Sequence, residues 1–349
     1  MGSCSLRSAA VLGMLGVLAA PVLAQTKGAP GGDIATYAGP DRMQRLIEGA
    51  RKEGRVSVYN SAPVKDMAVL SAAFEKKYGI KVTVWRASSE NILQRAVAES
   101  RGGRFDVDVF ETNGPEMEAL HREKLLREVR SPTHADLMKE AITPHREWIG
   151  TRLNIFSIAY NTKLVKKEEL PKSYEELLNP RWKGRLGIES TDHDWFAGVV
   201  GEMGEAKGLK LFKDIVATNG MSVRTGHTLL ANLVASGEVP MALTVYNYMA
   251  EQLKNGGAPI DWLVIPPAFA RVQGVGIARR SPNPHAAVLF YDFMLSDAQE
   301  LMLKRNFIPT SRKVSTPLNR VPVKFIDPKV VLDDQAKWTR LYKETLSAR

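Results

Sequence analysis

From Arg55 to Leu126 the sequence alternates between strand-like and helical periods, and that alternation leaves few folds open. Arg55-Val-Ser-Val-Tyr59 is a short β-rich run that stops at a loop signal, Asn60-Ser61-Ala62-Pro63. Between Lys65 and Tyr78, Met67, Val69, Leu70, Ala73 and Phe74 recur at helical spacing, and Gly79 supplies a C-terminal cap. Ile80 to Trp85 is the next strand. Ser88-Ser89-Glu90-Asn91 then opens a helix carrying Ile92, Leu93, Ala96 and Val97, with serine accepting a bond from a free first-turn amide. Asp106-Val-Asp-Val-Phe110 is a third strand, and Thr112-Asn113-Gly114-Pro115 leads into a helix from Glu116 to Leu126. Such a series predicts an α/β fold with a parallel, doubly wound sheet flanked by helices.

A second unit follows a break near Trp148 to Arg152. Strands are expected at Leu153–Tyr160, Arg185–Glu189, Met221–Arg224, Val239–Val245, ending at Tyr246-Asn247-Tyr248, and Asp261–Ile265. Ser173-Tyr-Glu-Glu-Leu-Leu178 has a capping-box start to a short helix, and Thr228–Ala235 reads as helical. Extended Val272–Ala278 and helices over His285–Leu295 and Ala298–Arg305 return the chain to the first unit.

At the amino terminus, Arg7 precedes an apolar run from Ala9 to Ala20, then Pro21 and Val22-Leu23-Ala24, the layout of a secretory leader cleaved near Ala24. The run is shorter than the roughly 20 residues that span a bilayer. Cleavage removes Cys4, the only cysteine of the 349-residue chain, so the mature protein has neither disulfides nor thiolate metal ligands. It also removes Arg7, taking the net charge from +10 to +9. The surplus is scattered among acidic residues, as in Lys166-Lys167-Glu168-Glu169, which argues for a solvated surface and against nucleic acid as a partner. Residues 25–40 read as a flexible lead.

The segments Tyr59-Asn-Ser-Ala62, Phe74-Glu-Lys-Lys-Tyr-Gly-Ile-Lys-Val82, Asp106–Phe110, Ile158-Ala-Tyr-Asn-Thr162, Pro180-Arg-Trp-Lys-Gly-Arg185, Ser236-Gly-Glu-Val239 and Ile308-Pro-Thr310 occur in one order. Together they resemble the extracellular solute-binding proteins of ABC importers, in the branch similar to periplasmic ferric-iron-binding proteins. The resemblance implies a two-lobed, type 2 periplasmic binding fold with two hinge crossings, near residues 148–153 and 265–270. On that basis residues 25–150 and 268–310 form one lobe, 151–267 the other, and 311–349 a helical tail. It implies a monomer that serves a membrane permease driven by a cytoplasmic ATPase.

Ligands of open α/β sheets bind beyond the carboxyl ends of the strands, and the polar loops named above sit at such ends. Ser61, Ser88, Ser89 and Asn113 would line the first lobe's side of a cleft. On the second lobe, Ser190 and Thr191 precede a helix whose dipole favours negative charge, and Arg224, followed by Thr225, stands at a strand-to-helix turn suited to a two-pronged grip on a carboxylate or phosphonate. Asp192 and Asp194, beside His193, suit the same helix start. Trp195 reads either as core or as an aromatic wall of the cleft. Tyr246 and Tyr248, two apart on an expected strand, share a face. These residues point to a small anionic solute.

Ferric iron is the alternative ligand. The resemblance implies two adjacent tyrosines as phenolate ligands, and these fall on Asn247 and Tyr248, so only Tyr248 matches and Tyr246 would have to supply the second phenolate. Pro63 and Lys65 stand where iron-binding relatives often carry a histidine or other ligand. An enzyme is disfavoured: the sequence has no Gly-x-Ser-x-Gly elbow, His-Glu-x-x-His, P-loop or dinucleotide fingerprint, and no cofactor is expected. A ligand-sensing module without transport remains open on the sequence alone.

Overall fold

The computed structural model describes residues 1–2, 33–316 and 322–347. The chain opens with α1 (Arg42–Glu53), β1 (Arg55–Asn60), α2 (Val64–Tyr78), β2 (Lys81–Arg86), α3 (Ser89–Arg101), β3 (Val109–Asn113), α4 (Gly114–Arg122) and β4 (Leu126–Arg127). It continues through β5 (Trp148–Asn161), β6 (Leu186–Glu189), α5 (His193–Met203), α6 (Glu205–Asn219), β7 (Ser222–Arg224), α7 (His227–Ser236), β8 (Met241–Tyr246), α8 (Asn247–Asn255) and β9 (Ile260–Leu263). It ends with β10 (Ala268–Ala278), α9 (Pro284–Met294), α10 (Asp297–Lys304), β11 (Ile308–Pro309), β12 (Val323–Phe325), α11 (Pro328–Asp333) and α12 (Gln335–Leu346). The expected secretory leader, from residue 3 onward, lies outside the described residues. No helix among those described is long and apolar enough to cross a membrane.

The strand order is β2-β1-β3-β10-β5-β8-β6-β7. The outer trios are parallel, as expected: β1 pairs β2 and β3 that way, and β6 pairs β7 and β8. The centre differs, because β10 is antiparallel to β3 and β5, and β5 is antiparallel to β8. The chain enters the second lobe along β5 and returns along β10, and two passages in opposite senses must pair antiparallel. Within β5 the partner changes at Ile155/Phe156: residues up to Ile155 pair with β10, those from Phe156 with β8 and β9. Both passages are buried along their whole length.

Helical faces follow the apolar spacing. Met67, Leu70 and Phe74 bury one side of α2, and Phe74 packs edge-on against Phe290 and Phe293 of α9. Gly79 ends α2 at φ 73°, a left-handed conformation that disfavours side chains, and its amide bonds Glu75 O. Three expectations fail locally. Residues 33–40 are not a loose lead, since Ala35 is fully buried and Asp33 pairs with Arg127; residues 25–32 lie outside the described set. The Ser173 segment forms only a 3-10 turn, Glu175–Leu178, with no side-chain cap bond, and Pro180 follows at once. The strand expected to run through Tyr248 ends at Tyr246, and α8 begins at Asn247. The tail spans both lobes: β12 pairs β10, α11 packs on α4, and α12 packs on α5 and α6.

Candidate ligand-binding cleft

A cavity of about 340 Å³ separates the two lobes, within the usual range of about 300–1,000 Å³ for small-ligand sites. Ser61, Arg86, Ser88, Ser89, Glu90, Asn113, Arg152, Asn154 and Gln273 line one wall; Glu189, Thr191, Thr225, Gly226, His227, Thr228, Tyr246 and Tyr248 line the other. The first wall is built on the buried carboxylate of Glu111, at the end of β3. Glu111 accepts from Arg152 Nη1 at 2.5 Å, Asn60 Nδ2 at 2.5 Å, Gln273 Nε2 at 3.1 Å and Thr151 Oγ1 at 3.3 Å. Gln273 Nε2 also donates to Ser61 Oγ at 3.0 Å, and Asn154 Nδ2 donates to Gln273 Oε1 at 3.1 Å and Asn113 Oδ1 at 3.2 Å. Arg152 Nε and Asn154 Oδ1 remain buried without a partner. A bound molecule would relieve the cost of such groups.

The second wall rests on Arg271, which reaches from β10 into the other lobe. Its Nε donates to Asp194 Oδ2 at 2.7 Å, its Nη2 to Asp194 Oδ1 and, at 3.3 Å, to Asp192 Oδ1, and its Nη1 to Tyr246 Oη at 2.6 Å. His227 Nε2 lies 3.3 Å from Asp192 Oδ1, and its ring centre is 4.0 Å from that of Tyr246. Burial alone would depress the His227 pKa. The Asp192 carboxylate outweighs burial and, with Glu189, holds it above the ordinary histidine value. Glu189 accepts from Thr191 N, Thr191 Oγ1 and Gly226 N. Burial would raise its pKa, but His227 and these amides outweigh burial and keep the carboxylate ionised below its ordinary value.

Four helix starts open on this cavity. Ser88, Asn113, Gly226 and Tyr246 are the N-caps of α3, α4, α7 and α8, and all four line it. Only Ser88 caps with its side chain, accepting from Asn91 N at 3.3 Å. First-turn amides have no partner inside a helix and carry partial positive charge, so these ends attract anions. Arg86 adds a full charge: it is exposed, its Nε reaches only Ala62 O at 3.4 Å, and it makes no ion pair among the described residues.

Ser61, Ser88, Ser89, Asn113, Thr191, Thr225, Tyr246 and Tyr248 are thus brought to one cavity. Four expected residues are not. Arg224 lies on the edge strand β7, its side chain 38% exposed and paired with Glu238 at 3.3 Å, outside the cavity. Ser190 Oγ bonds Thr225 Oγ1 at 3.0 Å and Glu189 Oε1 at 3.3 Å and does not itself line the cavity. Trp195 is buried against Tyr174 and Phe212, a core position that offers no face to a ligand. Asp192 is fully buried beneath the wall and serves Arg271 without a side-chain bond to the start of α5, whereas Asp194 holds Arg271 and also accepts from the first-turn amide of Trp195 at 2.8 Å. Tyr246 and Tyr248 both face the cavity with rings 6.0 Å apart and 17° from parallel, but across a strand-to-helix junction. Burial holds both phenols above their ordinary pKa, hence protonated.

Arg86, Arg152, Glu189, His227 and Gln273 escaped the sequence reading. Arg86 and Glu189 end β2 and β6, so the strand-end rule that selected Ser61 covers them. Arg152 and Gln273 sit inside long strands, and polar residues in otherwise apolar runs were their one signal.

Comparison with known proteins bears on the fold and the class. Residues 108–329 match a family described as bacterial extracellular solute-binding protein. Iron uptake protein A1 of Synechocystis sp. is 26% identical over 302 residues, covering 82% of this chain and 83% of that protein. Iron-bound HitA from Pseudomonas aeruginosa superposes with a TM-score of 0.72 at 24% identity, covering 83% of this chain and 99% of that one. AfuA from Actinobacillus pleuropneumoniae, with exogenous fructose-6-phosphate bound, gives a TM-score of 0.75 at 22% identity over 85% of this chain and all of that one (100%).

Proposed function

Because the chain belongs to the bacterial extracellular solute-binding proteins, we propose that it is exported to the periplasm and captures a small anionic solute, of carboxylate or phosphonate type, in the interlobe cleft. It then presents that solute, unchanged, to the permease of an ABC importer. The lobes, with boundaries near residues 150 and 267, close about β5 and the segment before β10, and the ligand favours the closed state by its differential affinity. The observation that carries the anionic reading is the unpaired Arg86 facing helix starts from both lobes across one cavity. Glu189 does not oppose it, since its carboxylate is already satisfied by two amides and two hydroxyls.

The test is native mass spectrometry of the purified protein, followed by a thermal-shift screen of carboxylates, phosphonates, polyamines and ferric iron. Anionic compounds should raise the melting temperature. Arg86→Ala should weaken binding of the hit about 10- to 100-fold, the worth of a hydrogen bond to a charged group. Undiminished affinity in Arg86→Ala would refute the assignment.

Ferric iron is the second reading, favoured by two tyrosines on the cavity wall and by relatives whose names state iron. Asn247, which stands at one of the two adjacent tyrosine positions, argues against it. Phenolate-to-iron charge transfer colours a protein, so a sample that stays colourless in excess chelated ferric iron eliminates this reading.

A further inference from the structure

Away from the cleft, on the first lobe, two histidines and a buried glutamate meet where α4 packs beside the segment leading into β5. Glu118 and His121 stand three residues apart on α4 and so share one face. His145 comes from the loop before β5 and stacks on His121 with ring centres 3.7 Å apart and planes 7° from parallel. One ligand atom from each of the three lies within 4.8 Å of the others. We propose that Glu118, His121 and His145 form a binding site for a divalent transition-metal ion of the zinc class.

The donor chemistry selects the ion. Two imidazoles and one carboxylate suit zinc and its neighbours, whereas magnesium and calcium prefer all-oxygen sets. Three protein ligands leave a fourth position for water. Each ring also has a group that orients it. His121 Nδ1 meets Glu147 Oε2 at 2.8 Å, the carboxylate–histidine arrangement that leaves Nε2 as the donor to a metal. His145 Nδ1 accepts the Glu147 backbone N–H at 3.1 Å, so Nε2 is its outward atom, and this atom points at Glu118 Oε2 from 3.2 Å. Metal binding replaces the Nε2 proton of His145, which leaves to solvent. Stacked rings hold their lone pairs in parallel planes, so coordination requires the His145 ring to turn out of the stack, giving up the Glu147 N–H, while the Glu147 carboxylate keeps His121 in place.

Local charge permits a cation. The nearby guanidinium groups are already engaged: Arg122 lies 2.8 Å from Asp333 and 3.9 Å from Glu118, and Arg279 lies 3.3 Å from Glu147. Glu118, Glu147 and Asp333 thus outnumber the two arginines. The His121 side chain is 29% exposed, which gives the ion a way in from solvent. Once bound, the ion ties α4 to the approach of β5, the first passage between the lobes. Among the described residues the other cluster of this kind, Glu189, Asp192 and His227, is committed to Arg271 and the cleft.

The test uses the full mature chain without a polyhistidine tag, stripped with EDTA and titrated calorimetrically with zinc chloride. One equivalent should bind and raise the melting temperature. His121→Ala and His145→Ala should each weaken zinc binding by at least about 10-fold, the loss typical of disturbing even a supporting group. Circular dichroism of the zinc-free variants checks that they fold, which the partial exposure of both rings favours. Cobalt(II) substitution of the unmutated protein gives an independent reading, with intense visible bands expected from a tetrahedral site. Absence of saturable zinc binding, unaltered binding in both variants, or a weakly absorbing octahedral cobalt spectrum would each overturn the site.

Discussion

Two buried arginines stand beneath the cleft, one under each wall, and they are wired differently. Arg152 on β5 meets Glu111, and that carboxylate also accepts from Asn60, Thr151 and Gln273. The whole cluster lies on strands that pair side by side, β1, β3, β10 and the first half of β5. Arg271 starts on β10, crosses to the second lobe and meets two carboxylates, Asp192 and Asp194, together with the hydroxyl of Tyr246. Asp192 in turn holds His227, and both His227 and Tyr246 face the cavity. One arginine braces a wall. The other ties the backbone passage between the lobes to two side chains that a ligand would touch.

The largest expected effect separates these roles. Arg271→Ala leaves two buried carboxylates without their shared cation, and breaking a buried pair costs about 3–5 kcal/mol. Urea denaturation should show that loss. Arg152→Ala should cost less, because Glu111 keeps three neutral donors. If the two variants lose equal stability, the contrast between brace and tie is wrong.

Tyrosine variants sharpen the same contrast. Tyr246→Phe removes an acceptor 2.6 Å from Arg271 Nη1 and should cost about 1.5–3 kcal/mol, as for hydrogen bonds to charged groups. Tyr248→Phe removes a hydroxyl with no hydrogen-bond partner among the described residues and should fall within about 0.5 kcal/mol of wild type. A reversed order in denaturation midpoints would locate the stabilising contact at Tyr248.

The pH dependence is a smaller effect. The pKa of His227 is raised in the folded protein by Asp192 in spite of burial. A raised pKa adds stability that is complete below the unfolded value, about 6.5, and fades as pH climbs through the folded value. Between pH 6 and pH 9 the protein should lose stability, and His227→Gln should lose less across the same interval. Parallel pH profiles for the two proteins would deny His227 its charge.

These clusters mark where the sequence stopped being informative. Helix and strand periods in the first 130 residues were legible because one apolar face is enough to set a period. Strand direction at the centre was not, since nothing local in Leu153–Tyr160 says that β10 will lie beside it. Loops at strand ends exposed Ser61, Thr191 and Thr225. Trp195 was undecided between core and cleft wall because its core partners, Tyr174 and Phe212, are distant in sequence, and an aromatic next to a polar loop looks the same whether it turns in or out. Arg271 stood next to Val272, where the expected strand began, and only the folded chain brings Asp192 and Asp194 to it.

Arg224 shows the same failure on the surface, and its variant should have the smallest effect of all. A strand-to-helix turn suits an anion-gripping arginine, but β7 is the sheet edge, and from there the guanidinium meets Glu238, itself 61% exposed. Exposed pairs are worth about 0–1 kcal/mol. The first-turn amides of α7 belong to His227, Thr228 and Leu229, which line the cavity, and they need no charge at Arg224 to act. Arg224→Ala should therefore leave both the denaturation midpoint and the affinity for an anionic ligand within about twofold of wild type. A tenfold loss of affinity would mean that the β7–α7 turn rearranges around bound ligand and swings Arg224 inward, and the second wall would then carry a cation of its own opposite Arg86.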